Sequence, residues 1–287
     1  MAAFKTVDFT SPSLSFKTAT VRVDLLERDP NRAPRVCWNV AGELFYSTDA
    51  LHCYAELQHS VARTAIYSKP GLDRRLSLHS PEHLAPVFLA WPELRFDVHV
   101  PELSGKAEIP MMDGSALPFF HALRRIAGAP QSIRFYDVPV SFSFDLPRGY
   151  AKVSPSDTFE VEYEITRPDG FVSAASLAVY SAEDLYSAFS ARTYIFEDDY
   201  KVARDCGLLG GVDESCGMLL DARTPVRYRM AEEPARHKIL DLLGDIAFVC
   251  PALPKVRVQI LNGGHFVHHQ IMEKLLPYVS TGNPQEI

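Results

Sequence analysis

The sequence predicts an α+β protein with two similar two-layer domains, each a β-sheet with helices packed on one face. Both halves of the chain begin with segments of alternating apolar and polar residues, which are typical of half-buried strands. Longer apolar segments with helical spacing follow the strands. Gly128-Ala129-Pro130 interrupts these patterns and predicts the boundary, so the domains are expected at residues 1–128 and 129–287.

The first half is predicted to be mainly β, with a buried helix near residue 80. Ser80 has the side chain of a helix N-cap, Pro81 suits the first helical position, and Pro86 is expected to shorten or kink the helix. Residues 42–67 stay ambiguous, with strand-like ends around a more helical centre. The other elements expected here are strands at 14–24, 36–40 and 96–100, a turn at 29–34, and a helix at 117–126.

The second half is predicted to repeat this order, with strands first and its two longest helices last. Turn-forming residues such as Arg167-Pro168-Asp169-Gly170 separate the strands. The expected elements are strands at 132–145, 158–166, 171–179 and 255–261, and helices at 182–190, 233–249 and 266–278.

Composition narrows the class of function. The net charge of −7 argues against a general nucleic-acid binder, which needs a basic surface, although a local basic pocket remains compatible with it. The N-terminal residues show no secretory signal, and no apolar run is long enough for a membrane span. The five cysteines form no C-x-x-C pair, which indicates a reducing cytoplasm and leaves histidine and carboxylate as metal ligands.

Two short motifs carry candidate chemistry. If residues 233–249 are helical, His237 and Asp241 lie one turn apart on the same face and can reach one metal ion, but this spacing alone is weak evidence. Glu82 and His83 stand at the start of an almost wholly apolar segment, where a charged pair is unusual unless it is paired or bound. Taken alone, that pair is better explained as a capping glutamate and a hydrogen-bonded histidine.

Five motifs, in this order, resemble the UDP-3-O-acyl-N-acetylglucosamine deacetylases, the zinc amidohydrolases of lipid A biosynthesis. The similarity runs from about residue 63 onward and includes a nearly complete match at His237-Lys238-Ile239-Leu240-Asp241. The motifs are Leu78–Leu84, Ile109–Phe119, Ala191–Tyr194, Gly207–Gly211 and Arg236–Asp245.

The resemblance implies a zinc site between the two domains, with Fe²⁺ as a possible replacement. It implies His83, His237 and Asp241 as the metal ligands, which leaves one position open as in catalytic zinc sites. It also implies Glu82 as general base and His265 as the acid that protonates the departing amine. The remaining implied roles are orientation of His265 by Asp245 and oxyanion stabilisation by Thr193. Lys238 would assist with substrate charge or leaving-group positioning, and an insert at about 194–220 would form an acyl-chain passage.

The chain also departs from the family pattern. The glycine-containing stretch near the family's N-terminus is absent at residues 11–21, and Asn262 replaces a basic residue that meets the substrate diphosphate. The segment 166–170 differs from the family's uridine-pocket motif, and His268 replaces an asparagine. We expect His268 and His269 to be solvated or to have packing roles.

Three hypotheses follow. The first is a zinc-dependent N-deacetylase acting on an acylated amino sugar, most economically UDP-3-O-acyl-N-acetylglucosamine. The second is a diverged deacetylase for another N-acyl amide without a nucleotide, which Asn262 favours. The third is a non-catalytic binding protein with the same fold, which predicts no stoichiometric zinc. We expect a cytoplasmic monomer whose partner is a small-molecule acylated amino sugar or another N-acyl substrate.

Overall fold

A computed structural model describes residues 5–26, 35–61, 64–70, 75–130, 132–206, 209–220, 227–279 and 285–286. Residues up to 108 form two five-stranded sheets, with strand orders β1-β2-β8-β3-β4 and β5-β6-β7-β10-β9. The strands are β1 (Lys5–Ser11), β2 (Ala19–Leu26), β3 (Arg35–Val40), β4 (Glu43–Ser47), β5 (Gln58–Val61), β6 (Ala65–Pro70), β7 (Arg75–His79), β8 (Arg95–Val100), β9 (Glu102–Leu103) and β10 (Lys106–Glu108).

The helices of this half are mostly short. Among the described residues of this half, three helices are 3₁₀ helices and the last is α-helical. They are η1 (Leu51–Glu56), η2 (Pro81–His83), η3 (Ala85–Ala90) and α1 (Leu117–Ala127).

The second half contains a seven-stranded sheet and the two longest helices. Its strands are β11 (Arg134–Asp137), β12 (Phe142–Leu146), β13 (Gly149–Pro155), β14 (Phe159–Thr166), β15 (Val172–Val179), β18 (Leu253–Leu261) and β19 (Gln285–Glu286), and a separate parallel pair is β16 (Tyr194–Phe196) with β17 (Met218–Leu220). The helices are α2 (Tyr186–Phe189), α3 (Glu197–Asp205), the 3₁₀ helix η4 (Glu214–Cys216), α4 (Glu233–Val249) and α5 (His265–Val279).

The predicted α+β class is confirmed. Strand β18 is central in the larger sheet, since β13 pairs along one edge while β11 and β14 share the other. The first two sheets end at residue 108 and the larger one begins at residue 134, so the strands of the two halves do not mix. We therefore keep residues 1–128 and 129–287 as the proposed domains.

Helix α4 connects the two halves. It packs against η2 and η3 of the first half and against β14, β15 and α5 of the second. All of its residues are buried except Arg236 and Lys238, so the helix has almost no solvated face. Its charged side chains therefore require partners inside the protein.

Several predicted elements were wrong in detail. Ser80 does not cap a helix: its backbone is left-handed (φ 57°), its side chain makes no cap bond, and the segment after it forms 3₁₀ turns around Pro86. The helix predicted at 182–190 is reduced to α2, because the Asp184 carboxylate accepts bonds from the backbone N–H groups of Tyr180 and Ser181 and holds a turn instead. The turn predicted at 29–34 lies outside the described residues.

The strand predicted at 14–24 begins only at Ala19. Buried Glu108 accepts hydrogen bonds from the Ser13 hydroxyl (2.5 Å) and from the Ser15 backbone N–H (2.9 Å). These bonds hold the residues between β1 and β2 as a loop against β10. A contact between residues distant in the sequence has therefore overridden a local alternating pattern.

Candidate metal centre and active site

The Glu82-His83 pair lies directly against helix α4. A Cβ atom added at Gly244 would stand 2.1 Å from the backbone oxygen of Glu82, so only glycine allows this approach. Asp241 and Asp245 lie on either side of Gly244 in the sequence. The close approach therefore places the two motifs, which are far apart in the sequence, in one buried site.

We expect Gly244→Ala to lower both stability and activity. Alanine has a higher helix propensity than glycine, which favours folding by roughly 1 kcal/mol. The clash with the backbone of Glu82 costs about 1–3 kcal/mol or more, so the net effect on the free energy of unfolding is destabilising. Displacement of Glu82 and His83 by about 1 Å is expected to reduce kcat about 100-fold. Urea unfolding and steady-state kinetics measure the two effects.

Gly210→Ala is the control for the unfolding measurement alone, because a Cβ there would meet only an ordinary contact of 3.7 Å with the Ser15 backbone oxygen. Unchanged unfolding and kcat in Gly244→Ala would contradict the required close approach.

His83, His237 and Asp241 meet as a buried group of ligand atoms. His237 Nε2 lies 3.2 Å and His83 Nε2 lies 3.6 Å from Asp241 Oδ1. A tetrahedral zinc ion with ligands at 2.0–2.1 Å separates its ligand atoms by roughly 3.3 Å, so the spacing suits one ion. The donor set of two imidazoles and one carboxylate is also that of a divalent metal site.

A hydrogen bond from Nδ1 to the backbone orients the His237 ring. Its Nδ1–H donates to the Ala191 backbone oxygen at 3.2 Å, and this leaves Nε2 facing Asp241. Burial lowers the pKa of His237 to about 3, so the imidazole is neutral at pH 7, as a metal ligand must be. A backbone carbonyl behind a ligating histidine is a common device for fixing the tautomer.

Asp241 is ionised and supported by a lysine. Although burial opposes ionisation, the Lys238 ammonium and a hydrogen bond from His83 hold the pKa of Asp241 well below its usual range. Lys238 Nζ donates to Asp241 Oδ2 at 2.7 Å and lies 5.6 Å from the centre of the Tyr194 ring. Lys238 therefore pairs with the carboxylate and also lines the adjoining cavity, while the role predicted for it stays a prediction.

One oxygen of the Glu82 carboxylate has no hydrogen-bond partner among the described residues. Its Oε1 accepts a hydrogen bond from the Thr64 hydroxyl, while Oε2 is buried and has no hydrogen-bond partner in the described part of the chain. Burial raises the pKa of Glu82, although the nearby His265 and His83 oppose that shift. A carboxylate with one fixed oxygen and one free oxygen is suited to accept a proton.

His265 lies within reach of the same site. Its Nε2 is 3.8 Å from both Glu82 Oε1 and Asp241 Oδ2, and its Nδ1 is 2.8 Å from Asp245 Oδ2. Burial alone would lower the pKa of His265, but the Asp245 carboxylate outweighs it and raises the pKa to about 9. His265 is therefore protonated at neutral pH, with one N–H held by Asp245 and the other directed toward the site.

Of the two roles predicted for His268 and His269, solvated or packing, burial excludes the solvated one. Both rings are buried, with His268 Nδ1 at 2.8 Å from Asp245 Oδ2 and His269 Nε2 at 3.6 Å from Asp245 Oδ1. The signal was present in the sequence, because positions three and four after His265 lie on the same helix face. The 2.8 Å distances from the two Nδ1 atoms to Asp245 Oδ2 have the length of hydrogen bonds, so we interpret this second cluster as a hydrogen-bond network.

Thr193 belongs to a loop fixed by a buried ion pair. Glu233 accepts bonds from the backbone N–H, Nε and Nη2 of Arg192, and the neighbouring Ala191 carbonyl contacts His237. The backbone N–H of Thr193 donates to the Gly114 oxygen at 2.6 Å. The structure therefore places Thr193 beside the metal-site helix, and sequence inspection had not identified Glu233 as the residue that anchors this loop.

A cavity of about 340 Å³ adjoins the site and is lined in part by Tyr194, Lys238 and Asn262. The Asn262 side chain is engaged within the protein: Oδ1 accepts from the Thr166 N–H at 2.8 Å, and Nδ2 donates to the Arg148 backbone oxygen at 2.7 Å and to the Thr166 hydroxyl at 2.8 Å. The backbone of Asn262 is left-handed (φ 54°), which asparagine tolerates better than most residues. Asn262 therefore acts as a structural connection between two turns.

The α+β fold carries a buried group of two histidines and one aspartate that could hold a metal ion, and such a donor set is typical of metal-dependent hydrolases. A family model described as UDP-3-O-acyl N-acetylglycosamine deacetylase matches residues 39–277, and the chain belongs to this family. The chain is accordingly a hydrolase of the deacetylase class, acting on an amide bond in a family that serves lipid A biosynthesis.

Relatives named UDP-3-O-acyl-N-acetylglucosamine deacetylase match most of the chain. The protein of Synechocystis sp. is 26% identical over 69% of this chain and 73% of its own length. Those of Chromobacterium violaceum and Syntrophotalea carbinolica are 29% and 28% identical, over 74% and 82% of this chain and 71% and 77% of their own lengths. Among the described residues, no helix is both long and apolar enough to cross a membrane.

Proposed function

We propose that the protein is a zinc-dependent N-deacetylase that removes the acetyl group from an acylated amino sugar, UDP-3-O-acyl-N-acetylglucosamine. The observation that carries this proposal is the convergence of His83, His237 and Asp241 with Glu82 and His265 in one buried site. This arrangement combines a metal-ligand set, a proton acceptor and a proton donor, which are the groups that amide hydrolysis needs.

His83, His237 and Asp241 would hold the metal ion. A zinc ion supplies Lewis-acid chemistry when bound, because it makes water more acidic and polarises an amide carbonyl. Iron in the +2 state suits the same nitrogen and oxygen donors, so Fe²⁺ is the alternative metal. Metal analysis of the purified protein distinguishes the two.

Glu82 and His265 would divide the proton transfers. The unpartnered Oε2 of Glu82 takes a proton from the attacking water, and the Nε2–H of His265 gives one to the departing nitrogen. Asp245 holds the His265 ring and stabilises its charged form.

Thr193 and Lys238 would act on the substrate itself. The Thr193 hydroxyl donates to the oxygen that gains negative charge, and the ion pair between Arg192 and Glu233 fixes the loop that carries it. Lys238, held between Asp241 and the Tyr194 ring, places a positive charge at the adjoining cavity.

Asn262 favours a second candidate, deacetylation of an N-acyl amide that carries no nucleotide. The family's basic residue is absent at this position, and the asparagine amide is already bonded to Arg148 and Thr166. A charge-assisted contact to a diphosphate is roughly twice as strong as a neutral hydrogen bond, so its loss weakens the nucleotide requirement.

Turnover by the metal-loaded protein of UDP-3-O-acyl-N-acetylglucosamine, compared with simple N-acetyl hexosamines, tests both candidates. The proposal expects turnover of the UDP-sugar and little of the free sugars. Turnover of free N-acyl sugars at equal or greater kcat/KM would support the second candidate instead. Metal-loaded protein that turns over no amide would contradict both.

The insert at about 194–220 is proposed as the acyl-chain passage. Within it, β16 and β17 pair in parallel next to α3, with Met218 buried and Leu219 47% exposed. Such apolar side chains, together with Ile195, suit contact with an acyl chain, while Leu208 lies outside the described residues. We further propose a cytoplasmic monomer whose partner is its small-molecule substrate.

A further inference from the structure

Asp245 is shared between two histidines of helix α5. His265 Nδ1 and His268 Nδ1 both lie 2.8 Å from the same oxygen, Oδ2. His268 is fully buried and follows His265 by three residues, so both rings leave the same helix face. Two donors on one oxygen hold a carboxylate more firmly than one donor does.

The protons of this network can be assigned. Asp245 is ionised, since its histidine partners hold its pKa well below the usual range against the effect of burial. An ionised carboxylate only accepts hydrogen bonds, so both Nδ1 atoms carry protons. Burial lowers the pKa of His268, so that ring is neutral and its Nε2 is an acceptor.

The acceptor nitrogen of His268 has a partner on the neighbouring sheet. Tyr163, on strand β14, has its buried hydroxyl 3.2 Å from His268 Nε2 and donates to it. The His268 ring is therefore fixed at both nitrogens, by an aspartate on α4 and by a tyrosine on β14. Neither bond involves substrate or the metal-ligand set.

Among the described residues, the other oxygen of Asp245 has longer polar contacts. Oδ1 lies 3.5 Å from the Tyr67 hydroxyl and 3.6 Å from His269 Nε2. If His268 released Oδ2, the carboxylate could rotate toward these two groups. Because His265 is bonded to Oδ2, that rotation would turn its Nε2 away from Glu82 and Asp241.

We propose that His268 is a positioning residue for amide hydrolysis: its Nδ1–H fixes the rotamer of Asp245 and thereby aims His265 at the site. This inference rests on the proposed function, in which His265 protonates the departing nitrogen. It assigns the second histidine a role in catalysis that is exerted wholly through Asp245.

Two substitutions of His268 each keep one of its two hydrogen bonds and remove the other. In His268→Asn the side-chain nitrogen takes the place of Nδ1, which keeps the bond to Asp245 and leaves the Tyr163 hydroxyl without its acceptor. In His268→Gln the amide takes the place of Nε2, which keeps the bond to Tyr163 and removes the one to Asp245. Tyr163→Phe is the matched control, since it removes only the hydroxyl.

The proposal expects activity and stability to move in opposite directions. His268→Gln should lose about 10- to 100-fold in kcat with little change in KM and a smaller loss in Tm. His268→Asn should have the lower Tm, because a buried hydroxyl loses its partner, yet keep kcat within about threefold of the wild type. Tyr163→Phe should likewise keep kcat.

Proton NMR supplies a readout that does not depend on turnover. Wild-type protein should show two slowly exchanging downfield imidazole protons, one for each bond to Asp245 Oδ2. His268→Asn should retain the His265 signal, and in His268→Gln that signal should broaden or exchange faster. A wild-type spectrum without the His268 proton would overturn the proposal whether or not the protein is active.

The kinetic outcomes are equally decisive. If kcat follows Tm across the variants, or if His268→Gln is as active as His268→Asn, His268 has only a structural role. Failure of the proposed function is distinct from this result, because it would appear as wild-type protein that turns over no amide while both protons are present.

Discussion

His237→Ala is expected to abolish bound metal and, with it, deacetylase activity. His237 is one of three buried residues that could bind the metal. Loss of a residue that only supports a metal ligand costs about 10- to 100-fold in metal affinity. Loss of the ligand itself should therefore cost more than about 100-fold. Metal content after dialysis, measured by mass spectrometry, and kcat/KM on the same sample give the two results.

His99→Ala is the matched control for this variant. His99 lies on β8, is 43% exposed in its side chain and pairs with Asp24, so its replacement should leave metal content unchanged. Retention of one equivalent of metal by His237→Ala would contradict the proposed ligand set. Wild-type protein without stoichiometric metal would favour the non-catalytic hypothesis.

Glu82→Gln is expected to keep the bound metal and to lose catalytic activity. Glutamine preserves the size of the side chain and can still accept the bond from Thr64, but it cannot take a proton from water. We expect kcat to fall about 10²- to 10⁴-fold, the contribution usual for a general base, while metal content stays at the wild-type level. Single-turnover kinetics and metal analysis measure these quantities.

The control for Glu82→Gln is the same substitution at Glu162, a half-exposed residue of β14 that pairs with Arg257. It should leave kcat unchanged. Wild-type turnover by Glu82→Gln would exclude Glu82 as the base, and loss of metal from this variant would indicate that Glu82 supports the ligand set instead.

Helix α4 shows what local sequence can establish. Residues 233–249 were predicted as a helix with His237 and Asp241 on one face, and the structure has that helix with the two side chains 3.2 Å apart. The prediction succeeds because a fixed helical period places positions i and i+4 together without any tertiary contact. The family motifs added the more distant partners, although the roles assigned to them remain predictions.

The segment around Ser80 shows where local patterns fail. Cap chemistry predicted a helix there, yet the chain forms 3₁₀ turns because it must place the backbone of Glu82 against Gly244. The loop at Ser13 to Ser15 likewise exists because buried Glu108 needs hydrogen-bond donors. Both outcomes depend on partners that are distant in the sequence.

The sequence by itself determined the α+β class, the family, helix α4 and the donor types available to a metal ion, since periodicity and residue chemistry are local properties. Only the tertiary structure decided that Asn262 is bonded within the protein and that His268 shares Asp245 with His265. Burial is the physical reason: a polar side chain removed from water takes the nearest available partner, and the packing of sheets and helices decides which partner that is.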